Sequence, residues 1–446
     1  MAPGSLARVK SRVVVLGVVA LVAACTSSAS TTTAPSTTAS TSTTLSESTT
    51  SSETTASTLP AGTEELPEAL REDIARLIPI TEELRELSFR EAPAIRVLTS
   101  EELAAEVIAQ VLEDYDDAEA DEALYKLLGL VEPEFDLLAT LTALYGEQVA
   151  GYYDGDDEEL VVTAREDDFS PLEEATIVHE LTHALTDQVL DFNDRFNALF
   201  DNEQFDQASA FQSLIEGDAS LTELLYIQQL DPAAQQEFLE EAFAVDTTVF
   251  DQVPEFVQDS LTFPYDTGFG FVEDLYGEGG FAAIDEAYAN PPVSTEQIIN
   301  PDDFGTDHPL DVPLPENQLA GYEIAYGSTW GELGYRLMFD QILGGADSAA
   351  DGWGGDSYAV YFNGTEVLLV MVYQGDTPDD AAQLADALND YVSVGMELTE
   401  PAADGNGQAY TGDRYAFVSA AGDQVVFVAA NDPTAGASAR GWFPGF

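Results

Sequence analysis

Apolar residues recur every three to four positions from about Glu68 to Tyr288, then give way to short alternating runs near the C-terminus. Glu68 to Leu87 carries the first helical pattern, and Ala94 to Leu98 reads as a short strand. Thr99 and Glu102 have the spacing of a capping box ahead of a helix reaching about Asp114. Two more helices are predicted, over about Glu119 to Leu130 and Pro133 to Tyr145. Gln148 to Tyr153 and Leu160 to Thr163 flank Asp154-Gly155-Asp156-Asp157 and read as a β-hairpin. Ser170 as cap and Pro171 in the first turn then start a helix running to about Leu190. A longer pattern spans Glu203 to Gln229, and further helices follow to Tyr288. Prolines from Pro291 to Pro315 mark an irregular stretch, after which a helix is predicted over Glu316 to Ile342.

The tail differs in kind. Strands are predicted at Tyr358 to Phe362 and Val367 to Tyr373, a helix at Thr377 to Val392, and a second hairpin at Arg414 to Ala420 and Asp423 to Ala430. The expected fold class is therefore α+β. A mainly helical domain occupies residues 63–345, with a β-hairpin before its central helix, and a small ββαββ domain occupies residues 346–446.

The N-terminus adds an address. Arg8, Lys10 and Arg12 precede an apolar run from Val13 to Ala24, too short for a comfortable membrane span. It ends in Leu21-Val22-Ala23-Ala24-Cys25, which resembles the lipobox of bacterial lipoproteins. That resemblance implies a signal peptide over residues 1–24 and a lipid on Cys25, holding an exported protein to the outer face of the cytoplasmic membrane. Cys25 is the single cysteine of the chain. Residues 25–62 are almost wholly Ser, Thr and Ala and form a tether with no core of their own.

Charge restricts the partners. Eighty-three acidic residues face 14 basic ones, a formal net charge of −69. Such a surface repels nucleic acid and anionic lipid, and its spread along the folded part suits salty surroundings.

Candidate chemistry centres on His179-Glu180-Leu181-Thr182-His183. On a helix, residues four apart share a face, so both imidazoles can meet one metal, Zn2+, and Glu180 can act as general base on a zinc-bound water. A third ligand is needed, and Glu216 is the best candidate, beside Gly217 and Ala219, which let two helices approach closely. Asp218 and Glu223 are its rivals, or else partners for the outer nitrogen of a ligand imidazole. Asp187, one turn past His183, is another such partner. For an oxyanion donor the candidates are His308, Tyr152, Tyr153, Tyr265 and Tyr322.

His179-Glu180-Leu181-Thr182-His183-Ala184-Leu185, with Asp187-Gln188 and Glu216-Gly217-Asp218-Ala219, resembles the gluzincin arrangement of zinc peptidases. More narrowly it resembles a group of poorly characterised bacterial secreted or lipoprotein metallopeptidases. Gly151-Tyr152-Tyr153-Asp154, Phe263-Pro264-Tyr265, Ser294-Thr295-Glu296-Gln297-Ile298 and Gly352-Trp353-Gly354-Gly355-Asp356 belong to the same likeness, which departs from the pattern at Asn300, where a histidine is expected. The resemblance implies a zincin-like peptidase domain, His179, His183 and Glu216 as ligands, Glu180 as base, and a protein or peptide substrate laid along a strand edge before the motif helix. Two other readings stand beside it: a non-catalytic metal-binding lipoprotein, and a zinc hydrolase acting on another bond. The segment Glu64 to Asp114 is also a candidate cover for the cleft.

Overall fold

The computed structural model describes residues 67–114, 117–147, 151–163, 168–315 and 317–446. The signal segment, Cys25, the tether and the expected strand start at Gln148 lie outside the described residues. The fold is α+β.

The helical body starts with α1 (Glu68–Arg85), β1 (Ala94–Leu98), α2 (Ser100–Asp114), α3 (Ala118–Leu128) and α4 (Leu137–Glu147). The predicted cap of α2 forms, with Thr99 Oγ1 accepting from Glu102 N and the Glu102 carboxylate accepting from Thr99 N. Then come β2 (Gly151–Asp154) and β3 (Glu159–Thr163). They pair antiparallel around a turn in which Asp154 Oδ1 accepts from the amides of Asp156 and Asp157. β1 adds in parallel to the other side of β3, so β2 is an edge. No local pattern announces a parallel pairing across that separation.

α5 (Pro171–Leu190) follows, closed at its start by the Ser170–Glu173 capping box and Pro171. Every residue of α5 from Ala175 to Thr186 is buried. The helix has no solvent face there because α1, α7, α8 and β2 surround it. Behind it run α6 (Asn193–Asp201), α7 (Phe205–Gln229), α8 (Pro232–Ala242), α9 (Glu255–Gly279), α10 (Phe281–Ala289) and the short α11 (Glu296–Ile299). Leu70, Ile74 and Leu77 of α1 share a core with Val178 and Leu181 of α5. α1 is thus part of the core, which corrects the expectation of a detachable cover: removing it would expose the motif helix to water.

Gly217 of α7 meets Gly268 of α9. A Cβ on Gly217 would stand 2.4 Å from Gly268 O, and one on Gly268 2.4 Å from Ser213 O. The close approach expected from Gly217 is real, and its partner is α9. Gly217→Ala is expected to lower stability by about 1–3 kcal/mol in a denaturant melt, because backbone, not a flexible side chain, must yield. An unchanged midpoint would show that the two helices can separate freely.

The C-terminal part comprises β4 (Glu323–Ser328), α12 (Gly331–Leu343), β5 (Trp353–Phe362), β6 (Val367–Gly375), α13 (Pro378–Val394), β7 (Pro401–Asp404), β8 (Gly407–Thr411), β9 (Tyr415–Ala421), β10 (Gln424–Ala430) and α14 (Pro433–Arg440). Its strands form one antiparallel sheet in the order β4-β5-β6-β10-β9-β8-β7. α13 packs against one face and α14 against the other. The helix expected from 316 to 342 is divided. β4 lies in its first half, and Gly331, at φ 74°, opens α12. β7, β8 and α14 were not foreseen. β7 is largely exposed, so it lacks the apolar alternation that marks a strand.

No helix among the described residues is long and apolar enough to cross a membrane.

Candidate metal centre

Two facing helices bring the motif together. His179 and His183 project from one face of α5, and Glu216 lies midway along α7. Glu216 Oε2 is 3.2 Å from His179 Nε2 and 3.3 Å from His183 Nε2. Such separations match the edge of a tetrahedron whose metal–ligand bonds are about 2.0–2.1 Å long. His179 is 5 % exposed, and His183 and Glu216 are fully buried.

Several atoms here lack hydrogen-bond partners. Both ring nitrogens of His183, Glu216 Oε1 and Glu180 Oε1 are buried without one. A buried polar group left so is costly, and four around one point mark a place built for something that binds them. The charges say the same. Glu180, Glu216 and Glu223 crowd around two imidazoles. Burial alone would lower His179, but Glu216 and Glu223 outweigh it and hold its pKa well above the usual value. Burial lowers His183 against the pull of Glu216, which favours the neutral imidazole that metals require. For Glu216, burial is overcome by His183 and His179, which hold the carboxyl down at about 2. Glu216 and Glu223 thus hold a positive charge at His179, which is a proton when no metal is bound.

Glu223 Oε2 lies 3.2 Å from His179 Nδ1, so of the two roles open to it, orienting the imidazole is the one its position serves. Glu223→Gln is expected to weaken the binding of any metal held at His179 about tenfold in competition with a chelator. Equal affinity would leave Glu223 without that duty.

Glu180 is fully buried beside the pair. Its Oε2 accepts from Tyr153 N at 2.9 Å, while Oε1 is free. Burial pushes the Glu180 carboxyl up to about 8, with His179 pulling down and Glu216 pushing further up. The Tyr153 amide is on edge strand β2, whose residues are all buried. It is committed to Glu180 rather than presented to an extended ligand. A backbone donor of this kind leaves no mark in a sequence.

Asp218 is not at the site. It points to α1, where Arg85 Nε lies 2.7 Å from it, both side chains fully buried. Arg85 also reaches Asp285 at 2.6 Å. Asp187 touches neither imidazole; it accepts from Tyr153 Oη at 2.8 Å and from Asn193 N at 3.0 Å, bracing the strand that holds Glu180. Tyr152 donates to Glu106 and Tyr322 to Glu366, away from the histidines. His308 is exposed in the loop after α11. Tyr265 is the remaining candidate. Its ring stacks at 26° on His179, with centroids 6.4 Å apart. Burial, then Glu216 and Glu180, hold its phenol well above the usual range, so it stays a proton donor.

A family model described as "Domain of unknown function (DUF8575)" matches residues 321–440, from just before β4 to the end of α14. No curated protein matches the chain. Among solved structures, the "Crystal structure of a putative hydrolase with a novel fold from Chloroflexus aurantiacus" is similar at 19 % identity and a TM-score of 0.34, over 53 % of this chain and 87 % of that one.

Proposed function

We propose that the chain is a zinc-dependent metallopeptidase, exported and held by a lipid on Cys25 at the outer face of the cytoplasmic membrane. One observation carries the reading: a buried, unpartnered carboxylate oxygen of Glu180 beside converging His179, His183 and Glu216. Two nitrogens and one carboxylate form a donor set typical of catalytic zinc, with a fourth position left over. Zinc held there supplies Lewis acidity to a scissile carbonyl and acidifies water. Glu180 Oε1 accepts the proton of the attacking water and passes it to the leaving amine. The Tyr153 amide fixes the other oxygen of that carboxylate, and Tyr265 donates to the oxygen of the carbonyl under attack. Glu223 keeps His179 in one orientation.

Deep burial of all four motif residues favours a second reading, a closed, non-catalytic metal site in a binding lipoprotein. The two separate on one experiment. The full chain, purified in detergent, is measured for zinc and assayed on a peptide library in molar NaCl. About one zinc per chain with cleavage supports the peptidase. Zinc without cleavage favours the binding lipoprotein, and a folded chain that takes up no zinc sinks both. Cys25→Ser is expected to release the protein from membranes; continued anchoring would refute the lipid.

A further inference from the structure

Two carboxylates of the α11 segment and one from the turn after β6 converge away from the histidines. Glu296 opens α11, Asp307 lies in the loop that follows, and Asp376 stands just after β6. Their carboxylate oxygens lie within 4.8 Å of one another. Backbone contacts build this meeting. Leu310 N donates to Gly354 O at 2.8 Å and Asp376 N to Gly352 O at 3.0 Å, while Gln297 Nε2 donates to Asp307 O. Gly354 leaves the space, since a Cβ there would stand 2.8 Å from Asp376 Oδ1.

The decisive residue is Glu296. It is 4 % exposed, and among the described residues no hydrogen bond or ion pair is seen at its carboxylate. Burial, then the acidic neighbours Glu332, Asp307, Asp376 and Asp303, push its carboxyl up to about 9. The nearby Arg336 is committed to Glu332 and Asp351. A nearly buried carboxylate among like charges is neutralised either by a proton or by a cation shared with its neighbours.

We infer that Glu296, Asp307 and Asp376 bind Ca2+, joining α11 of the helical body to the turn between β6 and α13. All-oxygen donors with no nitrogen or sulfur suit a hard cation, and Ca2+ tolerates an irregular cage completed by carbonyls and water better than Mg2+ does. A second acidic group, Glu255, Asp259 and Asp340, is more open to solvent and serves as the control for loose counterion attraction.

The test uses the full chain in detergent, stripped of Ca2+ by a selective chelator and kept in 1 M NaCl to screen its net charge. Equilibrium dialysis with Ca2+ alone is expected to show one saturable site per chain. At about 100 times its Kd, Ca2+ is expected to raise Tm by roughly 5 °C. The pair Asp307→Asn and Asp376→Asn should abolish both effects; Asp259→Asn with Asp340→Asn, which removes the same charge, should keep them. Glu296→Gln should melt no lower than wild type in chelator and show no Ca2+ shift, which covers the case of a double variant that fails to fold. Equal Ca2+ shifts in the two double variants, or no saturable site in the wild type, would overturn the assignment. The readouts do not depend on the histidine site.

Discussion

Glu180→Gln is expected to leave the protein folded and zinc-loaded while lowering peptide hydrolysis about 1,000-fold. Glutamine has the same shape and can still accept from Tyr153 N, so the bond at 2.9 Å survives. Only the proton acceptor at Oε1 is lost. Replacing it also removes one of three crowded carboxylates, since Glu216 and Glu223 both push Glu180 toward its neutral form. Melting temperature should therefore hold or rise, which separates a chemical defect from a folding one. Zinc stoichiometry by metal analysis and kcat on a peptide substrate are the two measurements. Wild-type kcat in the variant would remove Glu180 as base; loss of zinc together with kcat would make it a structural support instead.

Stripping zinc should destabilise the protein, and the more so at higher pH. In the metal-free protein several buried carboxyls are held far above their ordinary range by desolvation: Glu180 at about 8, Asp206 at about 7 and Asp356 at about 6. The folded state then holds protons that the unfolded chain, with carboxyls near 4, has released. Stability from these groups is complete below about pH 4 and is lost as pH rises through 6 to 8. The zinc-free Tm should fall steadily across that window. Zinc works the other way, because its ligands bind only after shedding protons. The gap between zinc-loaded and stripped protein should widen with pH, reaching about 10 °C near pH 8 at 1,000 times Kd. Scanning calorimetry at pH 5.5, 7 and 8.5 reads this directly. A gap that narrows as pH rises would mean that zinc does not compete with protons at this site.

Much of the site was legible in the residues, for reasons that can be named. Ser170, Pro171 and Glu173 set the start of α5, and the four-residue spacing of His179 and His183 set their shared face. Glu216 stood out because Gly217 and Ala219 beside it mark close packing. Choosing among Glu216, Asp218 and Glu223 was harder, yet helical geometry held the answer. Residues seven apart share a face, whereas residues two apart point roughly 200° away from each other. Glu216 and Glu223 accordingly both meet His179, and Asp218 turns to Arg85. Other features had no local signal. The amide of Tyr153 is backbone, β1 finds β3 across more than 60 residues, and β8 owes its place to pairing with β9. In β4, Tyr326 is the one buried position, so its periodicity was swamped by the helical pattern that follows.

The buried pair of Arg85 and Asp218 has a bearing on timing. Its members are 133 residues apart in the chain. A contact of that separation closes late, because the intervening loop must first lose its freedom. A chain emerging N-terminus first exposes both histidines well before Glu216 and the layer beneath it are in place. Under the proposed function, metal met at that stage would find two donors and dissociate readily, which would put loading at the last step of folding, in whatever compartment that step occurs.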